Sequence, residues 1–177
     1  MIKLRTLLKE VGEANLQPYK WKEVDMNGWV TYIEFTTENG TEYRVDLTTT
    51  NYGFGDNSIK ALEVEFLAKS KESERSSAKI IVNKGEMYKV MSTIVDIVKY
   101  YIKKFKAKAI MYSPSKKSDE EAFGTQRDNL YKAFISKAIP GIEFKKDGSL
   151  IVAILPNTQI NEIREVKAYK RSSNCSR

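Results

Sequence analysis

The sequence predicts an α+β fold in which a mixed, largely antiparallel sheet packs against two main helices. Three observations support this prediction: strand-like alternation joined by hairpin signals, two amphipathic helical segments, and one strand–helix–strand unit at residues 79–112. Apolar residues at every second position indicate a half-buried strand, whereas a repeat of three and four residues indicates a helix. A strand–helix–strand unit joins parallel strands through a right-handed crossover, so the sheet must be mixed.

The first half of the chain is predicted to form an antiparallel meander. Residues 29–36, 41–48 and 61–68 each alternate in polarity, and Asn39-Gly40 between the first two strands is a strong hairpin signal. The side chains expected on the buried face are Trp29, Thr31, Ile33, Phe35, Tyr43, Val45, Leu47, Leu62, Val64 and Phe66. The polar, serine-rich composition of residues 69–79 indicates a loop, which leads to a short strand at 79–82.

The helix that begins at Gly85 is the strongest element of the prediction. Its apolar side chains keep the helical repeat for about five turns, and they are Met87, Val90, Met91, Ile94, Val95, Val98, Tyr101, Ile102 and Phe105. Lysines crowd its C-terminal end, where cations interact favourably with the helix dipole. Residues 109–112 then form a short apolar strand, which Ser113-Pro114 ends.

A second helix and a hairpin complete the predicted fold. The helix covers residues 125–138, ends before Pro140-Gly141, and buries Leu130, Tyr131, Phe134, Ile135 and Ala138. Asp147-Gly148 is a second strong hairpin signal, and it joins strands at 142–145 and 149–155.

The chain is predicted to contain one domain with two appendages. Its 177 residues suit a single α+β domain at 21–156. A leucine-bearing pattern near the start predicts an N-terminal helix or arm within residues 1–20, which either docks on the domain or serves a partner. Residues 157–177 form a basic C-terminal tail.

The composition excludes several kinds of chemistry. The sequence contains no histidine, and its single cysteine is Cys175. A histidine-dependent catalytic triad, an intramolecular disulfide and a zinc site built from histidine or several cysteines are therefore excluded, and no metal site is predicted. Acid–base catalysis would rest on Tyr, Lys, Asp, Glu, a terminus or water. The net charge of +7 favours an anionic partner such as nucleic acid, or simply supports solubility.

From residue 29 to residue 155 the order of elements resembles the GNAT acetyltransferase fold. In that fold a meander leads through a phosphate-binding turn to a helix, a strand, a second helix and two closing strands. The resemblance implies binding of acetyl-coenzyme A, with its pyrophosphate on the amides of the turn. The matching turn is 83–88, so Lys84 and Gly85 would bind this cofactor. Tyr131 falls where the family often has a tyrosine that acts as general acid; the alternative is a core tyrosine.

Short motifs also resemble a group of uncharacterised bacteriophage proteins. They are Leu7-Leu8, the tyrosine-rich meander at 32–43, VMSTIV at 90–95 and RDNLY at 127–131. The resemblance implies a phage origin and a location in the cytoplasm of an infected bacterium or in the virion. Arg127 and Tyr131 share a helix face, because they are four residues apart. They would bind a ligand there or tie the helix to the loop at 113–117.

Two functional interpretations follow. The first is a non-enzymatic phage accessory or virion-associated protein on a GNAT-like scaffold, which needs no cofactor and binds a macromolecular partner. That partner is expected to be a protein, with nucleic acid as the alternative and no membrane contact. The candidate contact residues are Arg127, Lys103, Lys104, Lys106 and Lys108. The second interpretation is a divergent GNAT-type N-acyltransferase in which Lys84 and Gly85 hold acetyl-coenzyme A and Tyr131 is the acid.

Overall fold

A computed structural model of the protein describes residues 17–53, 58–69, 76–77, 84–114, 121–156 and 158. Several predicted features lie outside these residues: most of the N-terminal arm, the strand at 79–82, part of the loop after 113, and the C-terminal tail apart from residue 158. Within the described part, no helix is long and apolar enough to cross a membrane.

The described residues form an eight-stranded sheet and two helices, which confirms the predicted α+β class and the mixed, largely antiparallel sheet. The strands are β1 (Trp21–Asn27), β2 (Val30–Thr36), β3 (Glu42–Tyr52), β4 (Ile59–Lys69), β5 (Ser76–Ser77), β6 (Ala109–Tyr112), β7 (Glu143–Asp147) and β8 (Leu150–Ile154). The helices are α1 (Lys84–Phe105) and α2 (Glu121–Ala138). The order across the sheet is β1-β2-β3-β4-β6-β8-β7, and β5 pairs with β4.

The parallel pair predicted from the strand–helix–strand pattern consists of β4 and β6. Ala61, Leu62 and Glu63 of β4 lie opposite residues 109–111 of β6. On its other side β6 pairs antiparallel with β8. The chain therefore leaves β4, passes through α1 and returns in β6, while the predicted strand at 79–82 lies outside the described residues.

Three local predictions were wrong. The prediction missed β1, because this edge strand contains a bulge between Glu23 and Asp25 that breaks the two-residue alternation. It also placed Ser76–Ser77 in a loop, whereas they form β5 against Ala68 and Lys69. The second helix begins at Glu121, four residues before the predicted start at residue 125.

Trp29 is a fourth correction and the most consequential one. It was expected on the buried face of a strand, but it lies in the turn between β1 and β2 with 82% of its surface exposed. Gly28 has a φ of 61°, as the first central residue of a tight hairpin turn of type II′ requires. Trp29 therefore belongs to the turn, one residue before β2 begins, and the first buried side chain of β2 is Thr31.

The core forms where α1 and α2 pack on one face of the sheet. Of the predicted apolar face of α1, Val90, Met91, Ile94, Val98 and Tyr101 are buried, and the others are half-buried. The sheet contributes the predicted inward side chains of β2 and β3 together with Leu62, Ile110 and Ala153. From α2, Phe134 is buried and packs against Tyr88 of α1.

Hydrogen bonds to α1 hold Tyr19 and Trp21, near the start of the described chain, against this helix. The backbone N–H of Tyr19 donates a hydrogen bond of 2.9 Å to the fully buried hydroxyl of Thr93, which donates in turn to the carbonyl of Lys89. The indole N–H of Trp21 donates to Asp96 at 2.9 Å. Because these contacts are spread along α1, they fix the position of β1 beside the helix.

The last turn of α1 closes in a Schellman motif. The N–H of Ala107 donates to the carbonyl of Ile102, and the N–H of Lys106 donates to that of Lys103. Lys106 has a φ of 55°, a left-handed conformation that glycine adopts without steric cost. A lysine at this position therefore stores backbone strain at the end of the helix.

Substitution of Thr93 tests the link between Tyr19 and α1. Thr93→Val keeps the shape of the side chain but leaves the N–H of Tyr19 without its acceptor, so we expect a loss of about 1–3 kcal/mol in the free energy of unfolding. Thr93→Ser retains the hydroxyl and serves as the control. Amide hydrogen exchange at Tyr19 should accelerate in the valine variant alone. Equal exchange in both variants would contradict the assigned hydrogen bond.

Lys106→Gly tests the strained cap. We expect this variant to be more stable than the wild type by about 0.5–1 kcal/mol, because relief of the left-handed strain exceeds the entropic cost of glycine. Lys103→Gly removes the same side chain within the helix and should instead lose about 1 kcal/mol. Denaturant unfolding measures both, and a destabilised Lys106→Gly variant would show that the strain is absent.

Candidate functional site

The parallel strands β4 and β6 separate after three residue pairs. Their pairing ends at Glu63 opposite Met111, while β4 continues to Lys69 and pairs with β3 along its whole length. Residues 64–67 of β4 therefore have no partner among the described residues on the side that faces β6. In an antiparallel pair every second residue points its N–H and C=O away from the partner strand. Backbone groups of β4 thus face the gap.

A cavity of about 110 Å³ lies in this gap, beneath both helices. Its apolar lining comes from β4, β6, α1, α2 and the turn after α2, and consists of Val64, Phe66, Met91, Ile94, Val95, Val98, Ile110, Ile135, Ala138 and Ile139. Its polar lining consists of Glu65, Lys99, Tyr112, Ser113 and Tyr131. Whole-ligand pockets usually exceed about 300 Å³, so this cavity has room for a narrow group only.

Tyr131, the candidate general acid or core tyrosine, lines this cavity, and its role stays a prediction. Its ring is half-buried and makes edge contacts with Phe66 of β4 and Tyr112 of β6, with centroids 5.6 and 5.8 Å apart. These contacts orient the tyrosine between the two parallel strands. A phenol is protonated at neutral pH, so a side chain here can donate a proton to a bound group.

Tyr112, whose ring contacts that of Tyr131, belongs to a polar cluster with Asp128 and Lys132. The hydroxyl of Tyr112 donates to Asp128 at 3.3 Å, and Lys132 forms an ion pair of 2.7 Å with the same carboxylate. Burial and the neighbouring Asp128 raise the pKa of Tyr112 above its ordinary value. Tyr112 therefore stays neutral at neutral pH, and its hydroxyl is engaged with Asp128.

The N-terminus of α1 includes both residues predicted to bind the cofactor. Lys84 and Gly85 lie in the first turn of the helix. The first amides of a helix have no partner within the helix, and the N-terminus of a helix is therefore a place where proteins can bind an anion. Glu86 follows, and its carboxylate accepts a hydrogen bond of 3.3 Å from the backbone N–H of Asn39, on the hairpin between β2 and β3.

The lysines predicted to contact a partner have different environments. Lys104 forms an ion pair of 3.1 Å with Glu23 and lies 5.0 Å from the centroid of the Tyr101 ring. The hydroxyl of Tyr101 also donates a hydrogen bond to the carboxylate of Glu23. This hydrogen bond lowers the pKa of the Glu23 carboxyl most, and the contact with Lys104 lowers it further. Lys103, Lys106 and Lys108 are exposed. Lys104 differs from the other three in its ion pair with Glu23, and the prediction that all four contact a partner stays a prediction.

Arg127 lies in α2, one turn before Tyr131, and its side chain is outside the described part of the structure. The prediction that both residues serve one ligand therefore stays a prediction. Among the described side chains, no group of three or more His, Cys, Asp or Glu residues could hold a metal ion.

The cavity itself was missed from the sequence. Its lining contains residues predicted as core, such as Val64 and Ile94, and their periodicity carries no sign of an adjacent space. Only the point at which β4 and β6 stop pairing creates the cavity, and pairing of residues about fifty positions apart has no local signal.

Comparison with known proteins adds no identification. No protein-family model matches the sequence, and no curated protein is significantly similar to it.

Proposed function

We propose that the cavity between β4 and β6 binds the narrow, thioester-bearing arm of an acyl-coenzyme A, and that the protein is a divergent N-acyltransferase of the GNAT type. The observation that supports this proposal is the separation of two parallel strands over an apolar cavity that Tyr131 lines. The order of a meander, a helix, a strand, a second helix and a closing hairpin agrees with the GNAT layout.

The gap suits a ligand arm that carries amide groups. Among the described residues, the N–H and C=O groups of residues 64–67 that point away from β3 have no strand partner, and we propose that they hydrogen-bond to such an arm as they would to another strand. In open sheets ligands bind outside the carboxyl ends of parallel strands, and the gap opens at those ends of β4 and β6. The crossover helix α1 starts on the same side, because its C-terminal end lies beside Lys60 at the start of β4.

The size and lining of the cavity limit which part of the ligand enters. A space of about 110 Å³ accepts the acyl group and the sulfur end of the arm, and it excludes the nucleotide. The phosphates would remain outside, where the amides of Lys84 and Gly85 at the helix N-terminus can bind them. The carboxylate of Glu86 accepts a hydrogen bond from the backbone N–H of Asn39 on the β2–β3 hairpin.

In the proposed reaction Tyr131 performs one step, the protonation of the leaving sulfur. An acceptor amine attacks the thioester carbonyl, the C–N bond forms, and the C–S bond breaks. The hydroxyl of Tyr131 donates its proton to the departing sulfur, and the proton released from the amine returns to the phenolate through water. Tyr131 lines the cavity that would hold the sulfur, so its hydroxyl is the proposed proton donor.

The first test is thermal melting with acetyl-coenzyme A. A ligand present at about 100 times its dissociation constant stabilises by about 2.7 kcal/mol, which corresponds to roughly 5–10 °C for a domain of this size. Val95→Phe fills the cavity and should abolish this shift. Val24→Phe makes the same change at an exposed position of β1 and should preserve it. A shift that survives in Val95→Phe would place the ligand elsewhere.

Tyr131→Phe separates binding from catalysis. The ring still fills its place, so the melting shift with acetyl-coenzyme A should be retained. Loss of the proton donor should lower kcat by about 100-fold or more with little change in KM. The assay follows the release of free thiol in the presence of small primary amines. An unchanged kcat would remove Tyr131 from the proposed mechanism.

A second candidate function is favoured by the exposed lysines at the end of α1. On this view the protein is a non-enzymatic phage accessory or virion-associated protein that uses the GNAT-like scaffold to bind a macromolecule. It would act in the cytoplasm of the infected bacterium or in the virion. Lys103, Lys106 and Lys108 supply exposed positive charge there. The absence of any melting shift with acetyl-coenzyme A would favour this candidate over the enzyme.

A further inference from the structure

A second surface lies at the opposite end of α1 from the proposed phosphate site. The face of the sheet that carries the helices extends beyond Phe105, the last residue of α1, and leaves a shallow depression there. Its main lining residues are Trp29, Thr31, Thr49, Asn51, Lys60 and Phe105. We name the area formed by Trp29, Lys60, Phe105, Lys106 and Lys108 the Trp29 surface.

Trp29 presents its indole to solvent from a fixed position. The side chain is 82% exposed, although large aromatic side chains are usually buried. The residue sits in a tight turn between Asn27 and Val30, which are paired partners in β1 and β2. The indole makes no ring contact with any described aromatic side chain, whereas Trp21 packs against Tyr100 and Tyr101. The exposed ring therefore offers a flat face that the fold itself does not use.

Three exposed lysines line the depression or adjoin residues that line it. Lys60 lines the depression, and Lys106 directly follows Phe105 in the chain. Lys108 adjoins Lys60, because its backbone N–H donates a hydrogen bond of 2.7 Å to the carbonyl of Lys60. All three side chains are exposed and form no ion pair with a described carboxylate. Glu23, the acidic residue that contacts α1 near this end, already pairs with Lys104.

We propose that the Trp29 surface binds single-stranded nucleic acid, with one base stacked on the indole of Trp29 and the flanking phosphates on Lys60, Lys106 and Lys108. An exposed aromatic ring beside a row of cations is the arrangement that proteins use for unpaired bases and their backbone. A duplex covers its base faces by stacking, so it cannot use the indole in this way. Thr50 and Asn51 at the rim provide further hydrogen-bonding groups.

This inference rests on the second candidate function, and it names single-stranded nucleic acid as the macromolecule that the protein binds. It is independent of the cavity, because no residue lines both the cavity and the depression. The two proposals can therefore fail separately.

Fluorescence anisotropy of a labelled oligo(dT) of about 20 nucleotides tests the stacking contact. Trp29→Ala should weaken binding about five-fold or more, while the slope of log affinity against log salt stays unchanged. Trp29→Phe retains an aromatic face and should recover part of the affinity. Because the side chain is exposed, the melting temperature of both variants should equal that of the wild type. A duplex of the same sequence should bind more weakly.

A matched control for the lysine substitutions lies in β7, at the edge of the sheet opposite β1. The double variant Lys60→Ala/Lys108→Ala should reduce the salt slope by about 1.4, since each phosphate contact to a single strand contributes about 0.7. Lys145→Ala/Lys146→Ala removes the same charge from exposed positions of β7 and should leave the slope unchanged. Equal effects of the two double variants would mean that binding follows net charge only, and would overturn the proposal.

Further outcomes would also overturn it. They are the absence of binding at about 50 mM salt, equal affinity for single strand and duplex, and an unaffected Trp29→Ala variant. Capture of a phage protein through Lys106 without any affinity for oligo(dT) would reject this inference and retain the second candidate function. Val95→Phe should bind oligo(dT) as the wild type does, so a failure of the cavity proposal leaves this measurement intact.

Discussion

Three residue pairs between the parallel strands β4 and β6 are the constraint on which the rest of the structure depends. They join the four-stranded meander β1–β4 to the closing strands β6, β8 and β7, since no other described pairing connects these two parts of the sheet. Parallel pairing also requires the chain to cross from the end of β4 to the start of β6, and α1 makes this crossing over the sheet. The apolar face of α1 then buries both halves of the sheet in one core.

The short length of that pairing explains one candidate site, and the end of α1 explains the other. Past Glu63 and Met111 the two strands separate beneath the helices, which leaves a narrow apolar cavity with Tyr131 in its wall. At the other end, α1 stops at Phe105 before it covers the whole sheet, so a depression beside Trp29 stays exposed. One site is narrow and lined mainly by apolar side chains, and the other is open and cationic, so they suit different classes of ligand.

The sequence predicted what depends on local pattern and failed where pairing over long distances decides. The buried face of α1 was predictable because one side of a long amphipathic helix must be buried. Trp29 was misplaced because alternation alone does not show that Gly28 ends one strand and begins a turn. The strand β1 was missed because an edge strand with a bulge needs no strict alternation. The cavity had no signal at all, since it depends on where β4 and β6 stop pairing.

Hydrogen–deuterium exchange of β4 with and without acetyl-coenzyme A tests the central claim most directly. If the gap between β4 and β6 is the binding site, amides of residues 64–67 that point away from β3 should gain protection when the ligand is added, together with the first turn of α1. Amides of the same strand that pair with β3 serve as an internal control and should change little. Unchanged exchange at residues 64–67 under conditions where the ligand binds would contradict the account.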